Sequence, residues 1–196
     1  KDKMAVEQSE LTAELKTKLS KDIAQCQTHS GAITSQLSLT KQKEVEWGFT
    51  PLNDKISVLR QLLAQLAANK VVLHQENELA QTLNDARQQL LFIEKELASA
   101  TLLPGPTGES NTLYMESRGT LANVRCQNTP FNFWMMATLS ALAAGNCVVA
   151  VVDDAYLVET QAIADILQQS GLSAGVFQVV KLGHIDTVLD HPALAG

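Results

Sequence analysis

Histidine and cysteine are the side chains of this 196-residue chain with the widest chemical range, and their spacing limits what they can do. His184 stands two residues before Asp186, and Asp190 directly precedes His191, so acid–imidazole pairs are conceivable. With His29 and His74 they make no i, i+4 pair on a helix, and no Gly-x-Ser-x-Gly turn supplies a nucleophile. Surface or loop-capping roles are expected for all four. Cys26, Cys126 and Cys147 are odd in number and form no Cys-x-x-Cys pair. Neither a zinc cage nor a disulfide framework is indicated, and reduced thiols are expected. Cys126 and Cys147 fall in or beside predicted buried strands, where a free cysteine behaves as a small hydrophobe. Gly105-Pro106-Thr107-Gly108-Glu109 has the look of a phosphate loop. Pro106 has no N–H, however, and Glu109 stands where Lys-Ser or Lys-Thr is needed, so a rigid connector is expected.

The elements that would position these residues change rhythm along the chain. Leu11, Leu15, Leu19, Ile23 and Cys26 recur at helical steps, whereas residues 28–50 are rich in Ser, Thr and Gln and read as a loop or linker. Pro51 opens a second helix through Ile56, Leu59, Leu62, Leu63 and Leu66, with an end at Asn69-Lys70. Leu79, Leu83, Ala86, Leu90, Ile93 and Leu97 step by 4, 3, 4, 3 and 4, a narrow seam for another helix. That seam suits a helical hairpin packed on its own domain, or alternatively an oligomerisation hairpin. The prolines and glycines of 104–108 break the helical pattern. Beyond them a strand (Leu121–Cys126), a helix (Phe133–Ala144), a strand (Cys147–Val152), a helix (Val158–Gln169) and a strand (Val176–Val180) predict a parallel, doubly wound sheet. The expected divisions are a helical region at 1–100, a Pro/Gly connector at 101–118, and a truncated Rossmann-like α/β domain at 119–196.

Fifteen basic against 21 acidic residues give a net charge of −6, with no basic stripe to neutralise phosphates, so nucleic-acid binding is not expected. No secretory signal pattern opens the chain, and it reads as a piece of a longer protein. The charge-free stretch between Arg125 and Asp153 is long enough to span a membrane. Its helix formers give way at Gly145-Asn146 to the β-formers Val148, Val149, Val151 and Val152, which predicts a buried helix, a glycine cap and a buried strand instead.

Asn128-Thr129-Pro130-Phe131-Asn132-Phe133-Trp134, followed by Ala143-Ala144-Gly145-Asn146-Cys147-Val148-Val149, resembles the aldehyde dehydrogenase superfamily. That family's cofactor domain carries a Pro-Trp-Asn-Phe turn, a buried helix, Ala-Gly-Asn and a Val-rich strand. Gly171 to Val180 is similar to its Gly-Leu-Pro-x-Gly-Val-x-x-Val-Val segment, and His191-Pro192 has its counterpart. The resemblance covers residues 119–196. It places Asn132 at the family's oxyanion-hole asparagine, whose amide donates to an oxygen that becomes negative. It also places Val151 where the family has the Lys of Lys-Pro-Ser-Glu, leaving Asp154 to mimic the acid that holds the adenosine ribose. Gly183 is kept without a second glycine. The family's Gly-Ser-Thr turn, general-base Glu and catalytic Cys are not in these residues, and neither Cys126 nor Cys147 takes the catalytic role. No catalytic, NAD-binding or metal site is therefore expected in this chain.

Leu102-Leu103-Pro104-Gly105-Pro106-Thr107-Gly108-Glu109-Ser110-Asn111 resembles the opening of the degenerate, C-terminal aldehyde dehydrogenase-like domain of the long bifunctional proline utilization A proteins. Pro51-Leu52-Asn53 and Leu59 resemble the linker before it. The resemblance implies a cytoplasmic parent, compatible with a peripheral contact at the inner membrane. That parent would oxidise proline with FAD and then glutamate semialdehyde with NAD. This piece would be a non-catalytic module packed on the catalytic aldehyde dehydrogenase portion of the same chain, enclosing the channel for the intermediate. The alternative is part of a catalytic NAD-dependent aldehyde dehydrogenase domain. An open sheet edge makes self-association or homo-oligomerisation an expectation too.

Overall fold

The computed structural model describes residues 2–68 and 76–195, with the side chains of 2–13, 15, 23, 26–28, 76 and 77 outside the description. Asn69-Lys70, His74 and the side chains of Leu11, Leu15, Ile23 and Cys26 thus lie outside the described residues. Three helices come first: α1 (Asp2–Phe49), α2 (Leu52–Ala68) and α3 (Glu76–Leu97). A short antiparallel pair, β1 (Thr101–Leu103) and β2 (Asn111–Leu113), forms a hairpin around the Pro/Gly connector. Then β3 (Thr120–Arg125), α4 (Phe131–Ala143), β4 (Cys147–Val152), α5 (Leu157–Gln169), β5 (Phe177–Lys181) and α6 (Ile185–Leu189) alternate. Two 3₁₀ turns, Asp154–Tyr156 and Leu182–His184, lead into α5 and α6.

β3, β4 and β5 pair in parallel in the order β3-β4-β5, with Arg125 opposite Val152 and Val152 opposite Lys181. This is the predicted Rossmann-like α/β sheet, preceded by a helical region. The outer edge of β3 is met at its start by a parallel bridge from Leu194, where Ala195 N–H donates to Thr120 O at 2.7 Å. The divide at Gly145-Asn146 is as expected. Gly145 takes φ +84° after α4, and a Cβ there would stand 3.2 Å from Gly48 Cα. Asn146 closes the same corner, its Oδ1 accepting from Arg118 N at 2.7 Å and Gly119 N at 3.2 Å. Among the described residues no helix is long and apolar enough to cross a membrane.

Every β4 side chain is buried, and from Val148 onward they alternate between two cores. Val148, Ala150 and Val152 face α4 and α5, behind which α2 and α3 form an outer layer; Val149 and Val151 face α1 and α6. The seam Leu83, Ala86, Leu90 and Ile93 is buried in the first core together with Ile56, Leu59, Leu62, Leu63 and Leu66, so it packs within the chain.

The loop expected at 28–50 is instead the second half of α1. Its hydroxyls do not compete with the helix, because they bond back one turn: Thr34 to Ser30 O (2.9 Å), Ser38 to Thr34 O (2.9 Å) and Thr40 to Gln36 O (3.1 Å). One face is buried through Ile33, Leu37, Thr40 and Trp47, with Ile33 and Leu37 packed on the sheet. Trp47 Nε1 donates to Leu142 O at 3.0 Å, and Glu44 accepts from the Thr120 hydroxyl at 2.7 Å.

Candidate functional site

In open parallel sheets ligands sit outside the carboxyl ends of the strands. Here β3 and β4 end at Arg125 and Val152, and the residues that follow are those the sequence singled out. Arg125 crosses from β3 to the first turn of α5, where its guanidinium forms a buried ion pair with Glu159. Both side chains are 1% exposed. The guanidinium carbon lies 4.1 Å from the Tyr156 ring centre, 5.0 Å from Phe131 and 5.4 Å from Trp134, within cation–π range of all three. A counter-charge and stacking are thus supplied internally between α4 and α5.

Asn132 sits in the first turn of α4 and is half-buried. Its Nδ2 donates to Asp85 Oδ2 of α3 at 3.1 Å, and Asp85 Oδ1 accepts from Gln81 at 2.7 Å. An oxyanion hole needs a donor free for the developing negative oxygen. Here that donor faces a carboxylate, whose charge would repel such an oxygen. Among the described residues, Asn132 Oδ1, Trp134 Nε1 and Arg125 Nε are buried and meet no hydrogen-bond partner.

Val151 is fully buried on the opposite face, among Ile33, Leu37, Val149, Val180 and Val188. The position aligned with the family lysine therefore points under α1. Asp154 opens the turn after β4, is largely exposed, and pairs with Lys181 Nζ at 3.1 Å. Asp153 caps that turn by accepting from Ala155 N at 3.4 Å. A lysine–carboxylate pair does stand at the strand ends, but its lysine comes from β5. Gly183, in the turn after β5, has nothing within 4 Å of a Cβ placed there. With Val151 covered and Arg125–Glu159 in place, this set does not fit a dinucleotide held through the family's Lys and Glu.

Cys147 is buried, and burial pushes its thiol up to about 12, with Glu44 adding to the shift. Cys126 differs from the hydrophobe expected. It is half-buried, and the Thr129 hydroxyl (3.4 Å) followed by the Asn128 backbone hold its thiol below the ordinary range. His191 caps a turn, its Nδ1 accepting from Ala193 N at 3.1 Å. His184 stacks on His29 of α1 with ring centres 6.0 Å apart. No group of three His, Cys, Asp or Glu that could hold a metal occurs among the described residues.

Sequence reasoning missed Asp85, Glu159 and Lys181. Asp85 lies 47 residues from Asn132 in the chain, and no local spacing relates the two. A signal did exist for Arg125, the charged residue that bounds a long apolar run, and for Glu159, an acid in the first turn of an otherwise apolar helix.

The aldehyde dehydrogenase family pattern matches residues 20–194, taking in most of α1 as well as the sheet. No curated protein matches the chain. Among solved structures, a variant of Bradyrhizobium japonicum proline utilization A (PutA) is similar at 25% identity and TM-score 0.75, over 85% of this chain and 19% of that one. PutA from Bdellovibrio bacteriovorus superposes at 16% identity and TM-score 0.73, over 84% and 19%. An aldehyde dehydrogenase from Brucella melitensis biovar abortus does so at 18% and 0.68, over 81% and 35%. The last two likenesses concern fold alone, and the chain spans about a fifth of the PutA chains it matches. With the family pattern covering most of its length, the chain belongs to the aldehyde dehydrogenase family.

Proposed function

We propose that this chain is a non-catalytic aldehyde dehydrogenase module of a bifunctional proline-catabolic protein. It would brace the catalytic aldehyde dehydrogenase portion of the same parent and help enclose the path of the semialdehyde intermediate. The observation that carries this reading is the Asn132–Asp85 bond, which sets a carboxylate beside the amide that a reacting carbonyl would need, where its charge opposes a developing oxyanion. The likeness to PutA at 25% identity and the Leu102–Asn111 motif support the choice of parent. FAD and NAD would be bound elsewhere in that parent, in the cytoplasm, and homo-oligomerisation would involve the parent as a whole. Deleting residues 119–195 from the parent is expected to lower glutamate-semialdehyde dehydrogenase activity while proline dehydrogenase survives. Unchanged second-step kinetics would rule the reading out.

A catalytic, NAD-dependent reading has one observation in its favour, the Asp154–Lys181 pair at the mouth of the crevice. An NADH fluorescence titration of the purified protein, with Lys181→Ala beside it, separates the two. No saturable signal is expected. Saturable binding that Lys181→Ala abolishes would put the catalytic reading first.

A further inference from the structure

We propose that the cavity at the amino-terminal ends of the strands binds a small organic monocarboxylate with an apolar body, using Lys55 and Arg118 as charge partners. The cavity measures about 680 Å³, within the usual range for small-molecule sites, and lies between the end of α1, the start of α2, the end of α3 and residues 114–119. Phe49, Leu52, Leu97 and Tyr114 give it apolar walls.

Its polar chemistry is unbalanced. Lys55 is 6% exposed, although a lysine that deeply buried is ordinarily paired with an acid. Its Nζ donates to Gly48 O at 2.8 Å and lies 5.9 Å from the Trp47 ring centre. No carboxylate comes within ion-pair distance of it among the described residues. An ammonium has three donors, so hydrogen-bonding capacity is left over. Burial alone pulls its pKa below the ordinary 10.5, a cost that an anion would offset. A Cβ at Gly145 would stand 2.9 Å from Lys55 Nζ, so the backbone is cut away where the ammonium sits.

Of the two acids on the walls, Glu44 is already held by Lys41 at 2.6 Å and by the Thr120 hydroxyl. Glu116 remains against two cations, Lys55 and Arg118, and the guanidinium of Arg118 makes no ion pair among the described residues. A surplus positive charge, buried at Lys55 and exposed at Arg118, in a cleft with partly apolar walls selects an anion with an apolar body. The proposal does not rest on the preceding functional reading, because none of these residues lies at the carboxyl ends of the strands.

The test is calorimetric titration of the purified protein with benzoate, and with benzyl alcohol as its uncharged counterpart. Saturable benzoate binding is expected, with none by benzyl alcohol over the same concentrations. Loss of either cation should weaken benzoate about tenfold, as for one charge-assisted hydrogen bond. Lys55→Met and Arg118→Gln are the variants. Arg118 is exposed, so if Lys55→Met does not fold, Arg118→Gln alone decides. Absence of saturable benzoate binding, equal affinity for the alcohol, or unchanged affinity in every folded variant overturns the proposal.

Discussion

At the carboxyl ends of β3 and β4 the buried cation Arg125 has a carboxylate partner and three aromatic rings around it. At the amino ends of the same strands Lys55 is nearly as buried, and it meets a main-chain carbonyl and the face of Trp47. In a parallel sheet the first location is where ligands ordinarily bind. Here it is the one closed by the chain's own side chains, and the open cavity lies at the other end. The contrast teaches that family membership locates a site by topology, while the local pairing of charges decides whether that site is available.

The sharpest way to break the comparison is to put the family lysine back. Val151→Lys would force an ammonium among the apolar side chains of Ile33, Leu37, Val180 and Val188. A loss of about 4 kcal/mol or more is expected in urea unfolding, as for an unpaired buried charge. A fully stable variant would mean that α1 does not cover this face.

Next in size is Arg125→Ala, which leaves Glu159 buried without its cation and should cost about 3–5 kcal/mol. Replacing both partners with Arg125→Met and Glu159→Leu should cost clearly less, since the desolvation of both charges disappears with them. A double variant as unstable as the single one would show that the aromatic stacking, not the ion pair, holds α4 to α5.

How much of this was legible follows the same division. β4 could be read to the residue, because six apolar positions lie between a glycine corner and Asp153, and a strand buried on both faces is apolar throughout. The helices α2 and α3 were legible from their leucine spacing. The second half of α1 was not. Ile33, Leu37, Thr40, Glu44 and Trp47 step by 4, 3, 4 and 3, but Thr40 and Glu44 hide the period, and hydroxyls that bond back into a helix look in sequence like those of a loop. Asn132 and Val151 could be named from a motif. What surrounds them, Asp85 in one case and α1 in the other, depends on packing between segments far apart in the chain.

The amino end can be probed through its titrations. The Cys147 thiol is raised to about 12 from the ordinary 9.0, so between those values the unfolded chain has lost a proton that the folded one keeps. Stability should therefore fall as pH rises through that window, and Cys147→Ala should flatten the fall. Lys55 has the opposite sign. Its folded pKa is lowered, the unfolded chain holds more protons, and stability should rise as pH climbs toward 10.5, an effect that Lys55→Met removes. Urea midpoints across the alkaline range check both. In the folded protein at neutral pH, iodoacetamide should label Cys126 well before Cys147, read by peptide mass, and the reverse order would contradict the burial assigned to β4.

The smallest expected effect bears most directly on function. Asp85→Ala removes the acceptor from Asn132 Nδ2 and from Gln81, and should cost about 1 kcal/mol, as for a partly buried hydrogen bond. Asn132→Ala should cost a similar amount, and the two together less than their sum, because each removes the same bond. Additive losses would mean that Asn132 does not donate to Asp85 in solution. The amide would then be free to face a substrate, and the closed end of the sheet would have to be reread as an open one.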